Sequence, residues 1–206
     1  MSMRIGLGFD SHAFKKNVPL VIGGLHIDHP EGLAGHSDGD LLLHAITDAL
    51  LGAVSAGDIG TFFPPSDPKW KGADSTLFLR TALEEIALVG FKIVNIDCVL
   101  IMHSPKIVPI AGEMRERVAD LLNLDVNNVS IKGKTPEGLP QDGTAVAHVV
   151  VLLESIGLPN EHKKLALHAD APDEAELDTA LAAIAKPRGL SALGRKLPTF
   201  DTDDLT

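Results

Sequence analysis

The chain has 206 residues, 45% of them hydrophobic, enough for one well-filled core and a small appendage. A formal net charge of -10, an aromatic content of 4% and the absence of tyrosine exclude a polyanion-binding surface and the stacking platforms that grip single-stranded nucleic acid. A single cysteine, Cys98, can form no intrachain disulfide, and no run approaches the roughly 20 apolar residues that cross a bilayer, so no membrane partner is expected. No basic-then-apolar leader opens the sequence, and a cytoplasmic protein without signal or transit peptide is expected.

Residues 3–9 alternate loosely and predict a first strand. Residues 20–27 predict a second, with Gly23-Gly24 inside it as a bulge or close backbone approach. After the Gly-rich segment 36–40, residues 41–54 are apolar nearly all round, as in a helix buried on most faces. Ser37 and Asp40 have capping-box spacing, and Ser37 is the expected cap; the free amides at that helix start would then offer an anion site. The breakers Gly60, Pro64, Pro65, Pro68 and Gly72 predict an ordered working loop over 58–72. A helix over 74–89 ends at Gly90, a strand over 91–103 ends at Ser104-Pro105, and a third helix spans 106–122. Strands over 126–134 and 145–153 follow. The order β, β, α, α, β, α, β, β predicts an α/β fold, a single-layer mixed sheet with helices packed on one face, over residues 1–156. Residues 157–206 change texture and read as a C-terminal extension, a short helix plus a mobile tail or a partner-binding arm.

Asp10 and His12 stand two apart at the end of the first strand, so their side chains share one side. His44 lies on the buried helix. Two imidazoles and one carboxylate make a donor set suited to zinc with a position left open, the ligand count of a catalytic site. By itself the Asp-x-His pair is weak evidence, and without further context it reads as a surface aspartate beside a solvated histidine. Asp40 and Asp48 flank His44 by one helical turn each. Either one of them orients the imidazole, or Asp40 compensates the helix dipole and Asp48 is solvated, and both alternatives stay open. His26, His29, His162 and His168 read as surface residues, and His148 as packed or cavity-facing.

Gly8-Phe9-Asp10-Ser11-His12, His36-Ser37-Asp38-Gly39-Asp40, Leu43-His44-Ala45, Gly57-Asp58-Ile59-Gly60 and Phe63-Pro64 follow one another in the chain. Lys71-Gly72-Ala73-Asp74-Ser75, Ser104-Pro105-Lys106 and Lys134-Thr135-x-Glu137 continue the series. In order and spacing this series resembles the methylerythritol cyclodiphosphate synthase family over residues 3–154. The resemblance implies a homotrimer of small α/β subunits with active sites between neighbours. It also implies a lyase of isoprenoid biosynthesis acting on a cytidine diphosphate derivative. It places zinc, one per subunit, on Asp10, His12 and His44, and lets Glu137 hold a magnesium or manganese ion that bridges the substrate diphosphate. His36 and Thr135 become transition-state stabilisers, and His36 and Ser37 position the methylerythritol phosphate. Asp58, Ile59 and Gly60 hold the erythritol part against a wall that includes Phe63, Pro64 and Asp67. Met102, His103, Ser104, Pro105 and Lys106 receive the cytosine, and Lys134 joins Thr135 in the substrate site.

The implied reaction needs no side-chain nucleophile, because a 2-phosphate oxygen of the substrate attacks the β-phosphorus of its own diphosphate and expels CMP. The protein then has to position a flexible chain and neutralise charge. Some positions depart from the family pattern: Pro65 stands where an aspartate is frequent, and Gln141, Thr144 and Val146 replace an aromatic, an arginine and a glutamate that face a cavity on the trimer axis. An isoprenoid diphosphate in that cavity would lack its cationic partner. Two rival functions are a zinc phosphohydrolase, in which water attacks, and a non-catalytic sensor of nucleotides or isoprenoid precursors.

Overall fold

A computed structural model of the chain describes residues 2–138 and 143–157. The extension expected over 157–206 lies outside them apart from Gly157, and so does Gln141. Along the chain run β1 (Met3–Lys16), β2 (Leu20–Ile22), β3 (Leu25–Ile27), β4 (Glu31–Leu33), α1 (Leu41–Ala53), α2 (Ile59–Phe62) and α3 (Ser75–Leu88). Then come β5 (Phe91–Ile101), α4 (Ala111–Leu122), β6 (Val129–Lys134) and β7 (Thr144–Ser155). Five strands form one sheet in the order β4-β1-β7-β5-β6, antiparallel except for the parallel pair β5 and β6. The expected mixed sheet with helices on one face is present.

The local chemistry explains the differences from expectation. Gly23 and Gly24 both have positive φ, 65° and 74°, the backbone of a two-residue hairpin turn, so residues 20–27 split into the paired β2 and β3 instead of one bulged strand. β1 continues through Lys16 because its far end finds a partner in β4, a three-residue edge strand too short to show an alternating pattern. The breaker-rich loop contains the single-turn helix α2, capped by Asp58, and a 3₁₀ turn Pro68–Trp70, capped by Asp67. The helix expected over 106–122 begins with a 3₁₀ turn, Val108–Ile110, and the strand expected over 126–134 with another, Val126–Asn128.

The cap of α1 is Asp40, not Ser37. The Asp40 side chain accepts from Leu42 N and Leu43 N, and it also accepts from Gly23 N at 2.9 Å and Gly24 N at 2.6 Å. One buried carboxylate therefore joins the hairpin turn to the helix. With those amides satisfied by Asp40, the start of α1 has no free anion site of the kind expected.

α1 is buried on almost every side, with Leu41, Leu42, Leu43, Ile46, Leu50 and Leu51 all at 1% exposure or less. Each such side chain contributes roughly 1.5–3 kcal/mol of burial free energy. The helix lies against β1 where β1 has no side chains. A Cβ added to Gly6 would sit 1.8 Å from the Ala49 carbonyl oxygen, and one added to Gly8 would sit 1.8 Å from that of Ala45. No flexible side chain can yield there, since both obstacles are backbone. Cys98 is a buried packing residue, its thiol pushed up to about 12 by burial. No helix among the described residues is long and apolar enough to cross a membrane. Gly8→Ala should force helix and strand apart and lower stability by at least about 2 kcal/mol, read as a lower denaturation midpoint in urea.

Candidate metal centre and substrate pocket

Asp10 and His12 leave β1 on its helical side, and His44 leaves α1 beside Ala45, the residue whose carbonyl meets Gly8. The close approach brings three donor atoms together. His12 Nε2 is 2.7 Å from Asp10 Oδ2, His44 Nδ1 is 2.9 Å from the same oxygen, and the two nitrogens are 3.3 Å apart. Each of the three side chains is partly buried. Their outer atoms have separate partners: His12 Nδ1 meets the Ala34 carbonyl in a short hydrogen bond, Asp10 Oδ1 accepts from Ser11 N at 2.8 Å, and His44 Nε2 meets Ser37 Oγ and Ser75 Oγ. Donor atoms so spaced fit one small cation with bonds of about 2.0–2.2 Å, and the outer partners hold each ligand in orientation.

The charges of the cluster respond to one another. Burial pushes the Asp10 carboxyl up, but hydrogen bonds and charge from His12 and His44 outweigh it and hold the group well below the usual carboxylate range. Burial likewise pushes His12 down, and the hydrogen bond and charge of Asp10 prevail, so its pKa stands above 6.5. Neither helical neighbour orients His44. Asp40 is spent on four backbone amides, and Asp48 accepts from Ile59 N at 2.8 Å, tying α2 to α1, with burial raising its pKa. The groups that do meet His44 Nε2 are Ser37 and Ser75. Ser75 stood in a motif without a role, because only the contact between α1 and α3 makes it a neighbour of His44.

Other expected site residues gather beside this centre. His36 is exposed, and its carbonyl accepts from Gly72 N at 2.8 Å, while Asp38 N donates to the Ala73 carbonyl at 3.0 Å. The 36–38 segment is thereby laced to the start of α3. Asp58 is exposed and caps α2 through Thr61; Ile59 and Gly60 form its first turn. Phe63 packs at a tilt against Phe78 and edge-on against Trp70, at centroid distances of 4.4 and 4.9 Å, and Phe78 reaches His44 at 6.0 Å. The Pro64 carbonyl accepts from Asp67 N at 2.9 Å, closing a turn just before the one that Asp67 caps.

A second group lies elsewhere. Met102, Pro105, Lys106, Lys134, Thr135 and Glu137 line a cavity of about 360 Å³, joined by Ile107, Val108 and Gly133, which sequence reading did not single out. Gly133 is there because Ile107 leaves no room, a Cβ meeting Ile107 Cβ at 2.7 Å. Thr135 Oγ1 donates to the Glu137 carboxylate in a short hydrogen bond. His103 and Ser104 are exposed and are not among the lining residues; Ser104 Oγ lies 3.0 Å from His29 Nε2, so His29 is not simply a solvated surface residue. His148 is exposed and packs edge-on against Phe9 at 5.1 Å. The sheet register aligns Asp10, Ala147, Leu100 and Gly133 in one row, placing cluster and cavity at the same end of the sheet, roughly 14 Å apart at the usual strand spacing. Among the described residues, the cavity lining includes none of Asp10, His12 and His44.

The sequence model of the YgbB family matches residues 3–154. The 2-C-methyl-D-erythritol 2,4-cyclodiphosphate synthase of Koribacter versatilis is 62% identical over 152 residues, covering 74% of this chain and 98% of that protein. The Aquifex aeolicus enzyme of the same name is 48% identical over 153 residues, 74% of this chain and 98% of its own. A solved structure of a 2C-methyl-D-erythritol-2,4-cyclodiphosphate synthase in its CDP-bound form superposes with a TM-score of 0.70 at 40% identity, over 73% of this chain and all of that one.

Metal binding at the cluster must displace the His12 proton, because only neutral imidazole ligates. Since Asp10 makes His12 hold its proton more tightly than usual, the cluster's affinity for a divalent metal should fall as pH drops through the acidic range, by up to about tenfold per unit for that one proton. Competition with a chromophoric chelator at a series of pH values measures this.

Proposed function

The chain belongs to the YgbB family, and from that premise we propose that it converts 4-diphosphocytidyl-2-C-methyl-D-erythritol 2-phosphate to 2-C-methyl-D-erythritol 2,4-cyclodiphosphate and CMP. The observation that carries the reading within this chain is the convergence of His12 Nε2, His44 Nδ1 and Asp10 Oδ2 beside the 36–38 loop. A 2-phosphate oxygen forms the new bond to the β-phosphorus. The bond from that phosphorus to the bridging oxygen breaks, and its electron pair leaves with CMP. No protein nucleophile takes part, which agrees with a site built of ligands and hydrogen-bond donors.

Zinc at Asp10, His12 and His44, and magnesium or manganese at Glu137, would supply Lewis-acid stabilisation of the diphosphate oxygens. The remaining work is positioning. His36 and Ser37, laced to the start of α3, hold the methylerythritol phosphate, while Asp58, Ile59 and Gly60 hold the erythritol hydroxyls against the Phe63–Asp67 wall. The 102–106 strand end receives the cytosine in the cavity below it, with Lys106 and Lys134 bringing positive charge to an otherwise acidic protein. Thr135 supplies a hydroxyl to the oxygen on which charge develops. The domain responsible is residues 1–156.

The active unit in this reading is a homotrimer with sites between subunits. Two observations support it. The described residues leave apolar side chains exposed on the sheet face opposite the helices, with Ile5 at 72%, Leu7 at 68% and Phe9 at 53% exposure. Among the described residues the metal cluster and the cavity also do not share a lining, so a neighbouring subunit would complete the site. Val146 on this face is 4% exposed and apolar where the family carries a charge, and an isoprenoid diphosphate on the trimer axis is not expected to bind.

Phosphorus NMR of the purified protein with the substrate, zinc and magnesium should show cyclic diphosphate and CMP. His44→Ala should abolish them, and Thr135→Ala should lower kcat by about 100-fold. Inorganic phosphate as the product would instead mark a phosphohydrolase, and binding without turnover a sensor. Leu7→Asp should convert a three-subunit species to monomer in sedimentation equilibrium; a wild type that sediments as a monomer would refute the interface.

A further inference from the structure

His44 offers two ring nitrogens, and a neutral imidazole carries a proton on only one of them. Nδ1 faces the metal cluster, 2.9 Å from Asp10 Oδ2. Nε2 lies 2.9 Å from Ser75 Oγ. Ser75 is fully buried at the first position of α3, and it is not free to choose its role. Its hydroxyl donates to Asp38 Oδ1 in a short hydrogen bond, and its N–H donates to Asp38 Oδ2 at 2.9 Å. With its proton committed to the carboxylate, Ser75 Oγ presents lone pairs to His44, and Nε2 must supply the hydrogen. Nδ1, which faces the Asp10 carboxylate at 2.9 Å, is then the nitrogen left to a cation that takes its place between the two.

Ser37 Oγ also lies 2.9 Å from Nε2 but makes no such selection. Its contacts besides His44 are a long bond from Gly39 N at 3.4 Å and Ser75 Oγ at 3.5 Å, neither of which commits its proton. Asp38, in contrast, is anchored by its own N–H to the Ala73 carbonyl at 3.0 Å.

We propose that Ser75, backed by Asp38, is a positioning residue that holds a proton on Nε2 of His44 and so leaves Nδ1 for the metal. The inference rests on the reading of Asp10, His12 and His44 as a metal site. It assigns a role to Asp38 and Ser75 that neither contact with substrate nor contact with the ion would explain. It also makes the substrate loop and the metal ligand mechanically one unit, since Asp38 lies within that loop.

The test uses the full chain labelled with nitrogen-15 histidine, as wild type, Ser75→Ala, Asp38→Asn and His44→Ala. In metal-free protein, long-range proton–nitrogen spectra should show a proton on Nε2 of His44 in the wild type, and both Ser75→Ala and Asp38→Asn should show that proton lost from Nε2 or shared with Nδ1. Chelator competition should show zinc bound about 10–100-fold more weakly by Ser75→Ala, with unchanged thermal melting as the control for folding. Asp38→Asn provides the same reading should Ser75→Ala fail to fold. Zinc affinity within twofold of wild type in the two variants, with an unchanged His44 spectrum, would overturn the proposal while leaving the metal site intact. Zinc binding insensitive to His44→Ala would overturn the metal reading itself, and this inference with it.

Discussion

The geometry of the site depends on two side chains that are not there. Gly6 and Gly8 let the carbonyls of Ala49 and Ala45 rest against the backbone of β1, closer than any Cβ would permit. That distance determines where His44 stands relative to Asp10, two residues beyond Gly8. A helix held further out by ordinary side chains would carry His44 away from a donor triangle whose edges are 2.7 to 3.3 Å. Packing of this kind is stiff, because the obstacles are backbone atoms within two regular elements.

Asp40 carries the next part of the load. It is fully buried, and burial raises its carboxyl above the ordinary value, against the pull of the amides that surround it. Four backbone N–H groups point at its two oxygens, from Gly23, Gly24, Leu42 and Leu43. Leaving any of them unpaired in the core would cost about 1–3 kcal/mol, so the hairpin, the loop before α1 and the helix itself are fixed with respect to one another. The loop that carries His36, Ser37 and Asp38 is thus held at its far end by Asp40 and along its length by the start of α3.

An acidic protein that handles an anionic substrate concentrates its means of neutralisation. The net charge of -10 sets no favourable long-range field for such a ligand. The cavity nevertheless has Lys106 and Lys134 in its lining, and the cluster offers a seat for a cation. The Leu42 and Leu43 amides at the start of α1 do not contribute, having been taken by Asp40. Local placement of a few charges does what the overall field cannot.

Much of this was legible from sequence alone. The donor set Asp10, His12 and His44 follows from strand periodicity and residue chemistry, the burial of α1 from its all-round apolar pattern, and the family from an ordered series of short motifs. These are local properties, readable within a few residues of chain. Sequence could not tell whether Gly23-Gly24 bends a strand or turns a hairpin, because the answer lies in Asp40 accepting from both amides. Nor could it find Ser37 and Ser75 as the partners of His44 in place of Asp40 and Asp48, since both carboxylates had backbone donors waiting in space. The short strand β4 exists only because β1 offers it an edge. Residue type and spacing decided which chemistry was available; the meeting of α1 with β1 and α3, a matter of long-range packing, decided which atoms perform it.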